Sequence, residues 1–390
     1  MRHRIQRGVT RAQGRLLRAA APGGVPGSRS RRHQGGVWGA LLATTAAVAL
    51  LAGCASGPPN PTASGGSSAS PSASGSSIDP RTITGPSTAH TVAEVTPLSP
   101  APTPALPVTV TDERGKKVTV TDASRMLALD VYGTLAETVV GLGLGDRLVG
   151  RSSSNTLSTM ASLPVVTENG HNLNAEAILA LRPTLVLIDT TIGPSAVRDQ
   201  LEASGVTTVY FSPKRELDTV PDRIAAVADA LGVPEAGTTL ATRVKDEIAD
   251  ARAQIATMAP AEPLRMVFLY IRGTAGVFFV FGKGEGADEL IDALSGEDVA
   301  SEAGLEGIKP ASAEALLATN PEVILVMTDG LASTGGVDGL LARPGVADTT
   351  AGQRRRVVDM ADGQVLSFGP STAAVLLSLA DAVYQPDVSR

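Results

Sequence analysis

Four side chains could do chemistry through their type and position: His171, Tyr270, Arg272 and Met327. His171 follows Glu168-Asn169-Gly170 and precedes a helical pattern starting near Asn174. That places it on a loop at the mouth of a strand-to-helix connection, where open α/β sheets bind ligands. Tyr270 and Arg272 close the run Arg265-Met-Val-Phe-Leu-Tyr-Ile-Arg272, and alternate residues of a strand share a face. A free phenol titrates near pH 10, so making the phenolate at neutrality costs on the order of 4 kcal/mol. A ferric ion can supply that by coordination, and an adjacent guanidinium favours the anion further. Met327 ends a second apolar run and offers a thioether, although filling a core gap is its plainer role. The plainer roles of the others are a surface loop histidine and a core tyrosine beside a solvated arginine.

These groups need elements to hold them. The pattern from 108 to 120 reads as a hairpin with a Gly115 turn. Further strands are expected over 126–129, 147–150, 185–188, 208–211, 266–271, 323–327 and 357–360. They alternate with helical patterns, which predicts α/β architecture with largely parallel sheets. From Pro234 to about Met258 one helical face carries Leu240, Val244, Ile248 and Ile255. A helix of some 24 residues spans about 36 Å, enough to join two lobes. A repeat supports two lobes: Glu176-Ala-Ile-Leu-Ala-Leu-Arg-Pro183 aligns without a gap with Glu314-Ala-Leu-Leu-Ala-Thr-Asn-Pro321. Asn174 and Ser312 stand at matching cap positions, and each proline precedes a buried strand. Acids at Glu176 and Glu314 suit a helix N-terminus by charge alone. The glycine clusters 141–145 and 282–286 match neither a dinucleotide fingerprint nor a P-loop. Phe278, Phe279 and Phe281 are either core or the wall of an apolar pocket.

The N-terminal part sets the compartment. The first 36 residues hold nine arginines and no acid, and an uncharged apolar run ends Leu51-Ala52-Gly53-Cys54. A basic segment, a short apolar segment and small residues read as an export signal. Leu-Ala-Gly-Cys resembles the lipobox of bacterial lipoproteins, which implies lipidation of Cys54, the sole cysteine. Removing the signal leaves 24 basic against 39 acidic residues, a balance of −15, which argues against nucleic acid as a partner. The expected organisation is a signal peptide over 1–53 and a disordered Ser/Pro/Gly-rich tether over 54–107. A first α/β lobe follows over 108–220, linking helices with the long one over 221–260, and a second α/β lobe over 261–390.

Taken together, the repeat, the long helix and the positions of His171 and Tyr270 resemble the binding proteins of iron-siderophore, cobalamin and haem importers. The resemblance covers about 108–384. It implies two Rossmann-like lobes joined by a single long backbone helix, with the ligand in the cleft between them. The Tyr-x-Arg motif, with a histidine before the first repeated helix, resembles the haem-binding branch. There His171 and Tyr270 would coordinate the iron of ferric haem from opposite faces, Arg272 would support Tyr270, and Met327 could add a contact. One nitrogen donor and one anionic oxygen suit ferric haem. Glu176 and Glu314 would then dock to arginines of an ABC permease that works with its ATPase. The implied protein is a lipid-anchored, extracytoplasmic monomer, able to take haem from surface donors, and not an enzyme. A siderophore or corrinoid carrier of the same fold is the alternative. A haem relay without a permease, a free-metal binder and an exported hydrolase have less support, the last because no Gly-x-Ser-x-Gly elbow or zinc-protease motif occurs.

Overall fold

The computed structural model describes residues 79–386 except 169, 274 and 275. The signal region, Cys54 and the first part of the expected tether lie outside the described residues. Two sheets organise what is described. Met126–Leu129, Leu185–Ile188 and Thr207–Tyr210 form a three-stranded parallel sheet, with Leu127, Val186 and Thr208 in register. All four residues of each of the first two strands are buried. Strands covered on both faces read as continuous apolar runs, as these do.

A larger sheet runs in the order Ser87–Thr88, Val357–Met360, Val323–Met327, Arg265–Arg272, Val277–Phe281, Ile308–Pro310, with Glu297–Asp298 also paired to Arg265–Arg272. Its central strands are parallel, and Leu325 sits between Phe268 and Val358. Val277–Phe281 returns antiparallel to Arg265–Arg272 and brings Phe279 opposite Tyr270. The helix Pro234–Met258 follows the first sheet in the chain and precedes the second. It buries Gly237, Leu240, Val244, Ile248, Ala251 and Ile255, and packs against the helices Val220–Ala230 and Thr372–Tyr384. The architecture is therefore α/β, with two sheet-based lobes and one long helix.

The sequence repeat corresponds to a structural one. Asn174 and Ser312 each accept a bond from the backbone N–H three residues on, at 2.9 and 3.1 Å. Arg182 and Asn320 occupy matching positions after the two helices and share a positive φ, 48° and 40°. Two expectations need correction. The 147–150 segment is no strand: Gly145–Arg147 is a 3-10 turn, and only Leu148 bridges to Met126. Its apolar residues pack against the sheet without extending its ladder.

The second correction concerns the tether. From residue 79 the chain is fastened to the fold. Arg81 pairs with Glu322 at 3.2 Å, and Ser87–Thr88 adds an edge strand parallel to Val357–Met360. Gln364 grips both backbone groups of Val92, at 3.1 and 3.0 Å. Farther on, Leu98 donates to Gly141 and Ala105 to Gly232, both at 2.9 Å. Ala89, Val92 and Val95 are buried in the main core. Composition suggested disorder because large apolar residues are sparse. The few present are placed where they can be buried, and paired backbone groups add to them. The segment is a strap running over both lobes. Arg356 helps secure it from beneath: 2 % exposed, it donates to Ser87 Oγ at 2.8 Å and to the carbonyls of Ala382 and Val383. Those carbonyls end a helix, where a cation is favoured; burial still pulls Arg356 down to about 10.

Buried charge joins the first sheet to the 367–371 loop. Asp130 and Asp189 follow directly on adjacent parallel strands, and the Arg215 guanidinium lies 3.8 and 3.6 Å from them. Arg215 also donates to Ser367 O at 3.5 Å, and Arg223 to Phe368 O at 3.4 Å. Glu137 accepts from the Ser371 N–H at 2.9 Å. Its burial pushes the carboxyl up from 4.5 to about 7, against the opposing effect of the Ser371 bond.

Two outcomes follow from this packing. Deleting 79–107 should lower the thermal midpoint by roughly 5 °C or more; a scanning-calorimetry trace identical to the full chain's would show that the strap adds no stability. Glu137 binds its proton more tightly folded than unfolded. Its contribution to stability is therefore complete below pH 4.5 and is lost as pH rises through about 7. The loss amounts to about 3 kcal/mol. Urea denaturation of Glu137→Gln across pH 5 to 8 should lack that slope.

Candidate functional site

Tyr270 and Arg272 end a strand of eight residues, and both are half-buried. The alternation of the strand turns them to one face, which Phe279 and Phe281 share on the neighbouring strand. The Phe281 ring stacks on Tyr270 with centroids 5.8 Å apart. Phe278 points the other way into the second core cluster. Phe281 is thus core, whereas half-buried Phe279 stands directly opposite Tyr270.

Arg272 gathers the rest. Its Cζ lies 4.8 Å from the Tyr270 ring centroid, an arrangement that favours a cation over an aromatic face. Nη1 donates to Ile271 O at 3.1 Å, and Nη2 reaches Met327 Sδ at 3.4 Å. Nη2 also donates to Asp362 Oδ2 in an ion pair. Met327 is 8 % exposed and is the last residue of its strand. Asp362 follows the strand Val357–Met360 by two residues, and its Oδ1 accepts from the Asp329 N–H at 2.8 Å. Gly330 leaves room for the guanidinium: a Cβ there would stand 2.2 Å from Arg272 Nη1 and 2.7 Å from Ile271 O. The cluster of Tyr270, Arg272, Met327 and Asp362 thus sits at the carboxyl ends of three parallel strands, where α/β sheets bind ligands.

His171 belongs to the other lobe and makes no described contact with this cluster. It is exposed, in the turn joining Thr167–Glu168 to Asn172–Leu173. Gly170 makes that turn with a φ of 85°, which a glycine adopts without strain. Ser153 Oγ donates to Gly170 O at 3.2 Å, while its N–H donates to Thr167 Oγ1 at 2.8 Å. Ser152 and Ser154 beside it approach Asp130 O. The His171 turn is therefore tied to the carboxyl end of the first sheet. No described bond joins His171 to Tyr270. Glu176 and Glu314 are both exposed, in the first turns of the two repeated helices.

Asp362 and Gly330 went unread in the sequence. An Asp-Gly pair in a loop signals a turn, and nothing local ties it to an arginine 90 positions away. A cavity of ≈ 130 Å³, lined by Val92, Tyr132, Glu137, Asn155 and Gln364 among others, is bounded by neither His171 nor Tyr270. Among the described residues no helix is long and apolar enough to cross a membrane. No group of three or more His, Cys, Asp or Glu among them could hold a metal ion.

Known proteins resemble this chain at the level of family and fold. The family profile for periplasmic binding proteins matches residues 131–362. The crystal structure of the haem-binding protein HmuT is 49% identical, with a TM-score of 0.77 over 79% of this chain and 100% of that one. HmuT has also been solved with a single histidine, tyrosine or arginine replaced by alanine. The periplasmic haem-binding protein RhuT from Roseiflexus sp. RS-1, in apo form, is 38% identical, with a TM-score of 0.64 over 68% of this chain and 99% of that one. The vitamin B12-binding protein of Vibrio cholerae serotype O1 is 30% identical over 138 residues, 35% of this chain. The chain spans about half the length of that relative, 49%. With the profile matched over most of both sheets, and a solved relative matched along its whole length, the chain belongs to the periplasmic binding protein family.

Proposed function

We propose that this protein captures ferric haem outside the cytoplasmic membrane and delivers it to an ABC importer. The observation that carries the reading is the cluster of Tyr270, Arg272 and Met327 at the carboxyl ends of the second sheet. The alanine variants of HmuT add support. The histidine and tyrosine replaced there are 99 positions apart, and the arginine follows the tyrosine by two. His171, Tyr270 and Arg272 have the same spacings.

In this reading Tyr270 gives an anionic oxygen to one face of the iron and His171 a neutral nitrogen to the other. Stacking on Phe281 limits the swing of the Tyr270 ring, so its oxygen is presented along a fixed direction. Arg272 stands beside it, with its guanidinium 4.8 Å from the ring centroid. Phe279 and Met327 supply apolar and polarisable surface to the macrocycle. His171 sits on an exposed turn and can adjust as haem enters. No covalent step is involved. Residues 1–53 are the export signal and Cys54 carries the lipid. The first lobe spans 108–220, linking helices 221–260, and the second lobe 261–390.

Glu176 and Glu314 occupy equivalent positions on the two lobes. A permease built from two like halves would meet one acid from each, so the pair forms its docking surface. The binding protein acts as a monomer and accepts haem free or from surface donors.

An absorption titration of the purified protein with ferric haem tests the ligand. A saturable Soret shift near one equivalent is expected, altered by His171→Ala and by Tyr270→Phe. No saturable shift in the wild type would leave a corrinoid or siderophore as cargo, a reading that the vitamin B12-binding relative keeps open. Docking is tested separately. Reversing Glu176 and Glu314 to lysine together should leave the haem spectrum unchanged and abolish haem-dependent growth. Unimpaired growth would rule these acids out as the docking pair.

A further inference from the structure

Resting on the haem reading above, we infer that Asp362 is a positioning residue: it holds the Arg272 guanidinium where it can serve the Tyr270 oxygen. A guanidinium has five N–H donors in a rigid fork. Three are directed to Ile271 O, Met327 Sδ and Asp362 Oδ2. One Nη1 proton and the Nε proton remain for a further acceptor. No described bond runs from Arg272 to the Tyr270 oxygen; the guanidinium lies over the ring instead, 4.8 Å from its centroid. Met327 is a weak acceptor and Ile271 O is adjacent in the chain, so Asp362 is the strong contact that fixes the far edge of the fork.

Asp362 is itself held. The Asp329 N–H occupies its second oxygen at 2.8 Å. Two residues on, Gln364 is clamped to both backbone groups of Val92 in the strap. Gly330 closes the other side, since any larger residue would displace Nη1. A side chain of arginine's length loses considerable rotamer freedom when fixed. Here that loss is met before the ligand arrives, which is the general advantage of a preorganised contact.

The test is a double-mutant cycle read by haem affinity and by the absorption spectrum. Proteins carrying Asp362→Ala, Arg272→Ala and both substitutions are titrated with ferric haem, and thermal melting of the haem-free forms verifies folding. Asp362→Ala is expected to weaken binding about tenfold and to shift the spectrum in the direction seen for Arg272→Ala. In the Arg272→Ala background the same change should add nothing. Asp362→Asn keeps one acceptor oxygen and should retain part of the affinity. Wild-type binding by Asp362→Ala would overturn the proposal, as would two effects that simply add, because a residue that only supports the fold lowers affinity whatever stands at 272. Absence of haem binding in the wild type is a different failure: it removes the haem reading, and this proposal with it.

Discussion

A guanidinium taken out of water must find anions, and Arg215 finds them at the ends of two adjacent strands. Desolvating such a cation costs several kcal/mol, offset only by well-placed partners. Asp130 and Asp189 supply them, and each comes directly after a buried strand, so the position of the cation follows from the register of the first sheet. Burial and the charge of Asp130 both push Asp189 upward, while Arg215 opposes them. Arg223 beside it is pulled down to about 10 by burial first and by Arg215 second. The two arginines then bind the carbonyls of Ser367 and Phe368. A loop of the second lobe is thereby fixed by the electrostatics of the first.

That loop has another end. Asp362 lies five residues before Ser367, and between them Gln364 grips the strap. One stretch of chain therefore meets the buried charges of the first lobe, the strap and the arginine beside Tyr270. The Tyr270–Arg272 cluster of the second lobe sits on a frame that the first lobe helps to set. The long helix Pro234–Met258 connects the two sheets in the chain and is anchored along one face by Leu240, Val244 and Ile248.

Much of this was legible in the residues. The caps Asn174 and Ser312, the prolines after each helix and the apolar runs marked the repeated unit, because caps and breaks are local in the chain. The long helix was legible by period. What stayed hidden depends on partners far away in sequence. Residues 79–107 have the composition of a linker, and only the placement of Ala89, Val92 and Val95 against distant helices makes them a strap. Asp362 reads as a turn residue until Arg272 is brought to it. The strand Val277–Phe281 was obscured by its own three phenylalanines, which point to both faces of the sheet. Tyr270 and Arg272, by contrast, share a face by simple alternation, so their pairing could be read directly.

The strap also orders events in time. Thr88 bonds to Asp359 across 271 positions of chain, and Ser378 reaches back to the His90 carbonyl across 288. Synthesis delivers the strap among the earliest of the described residues and its edge-strand partners among the last. Contacts of such separation close late and slowly. Until they form, the Val357–Met360 strand presents an unpaired edge, the kind of surface to which other chains add. The first-made part of this fold is therefore the piece that seals it.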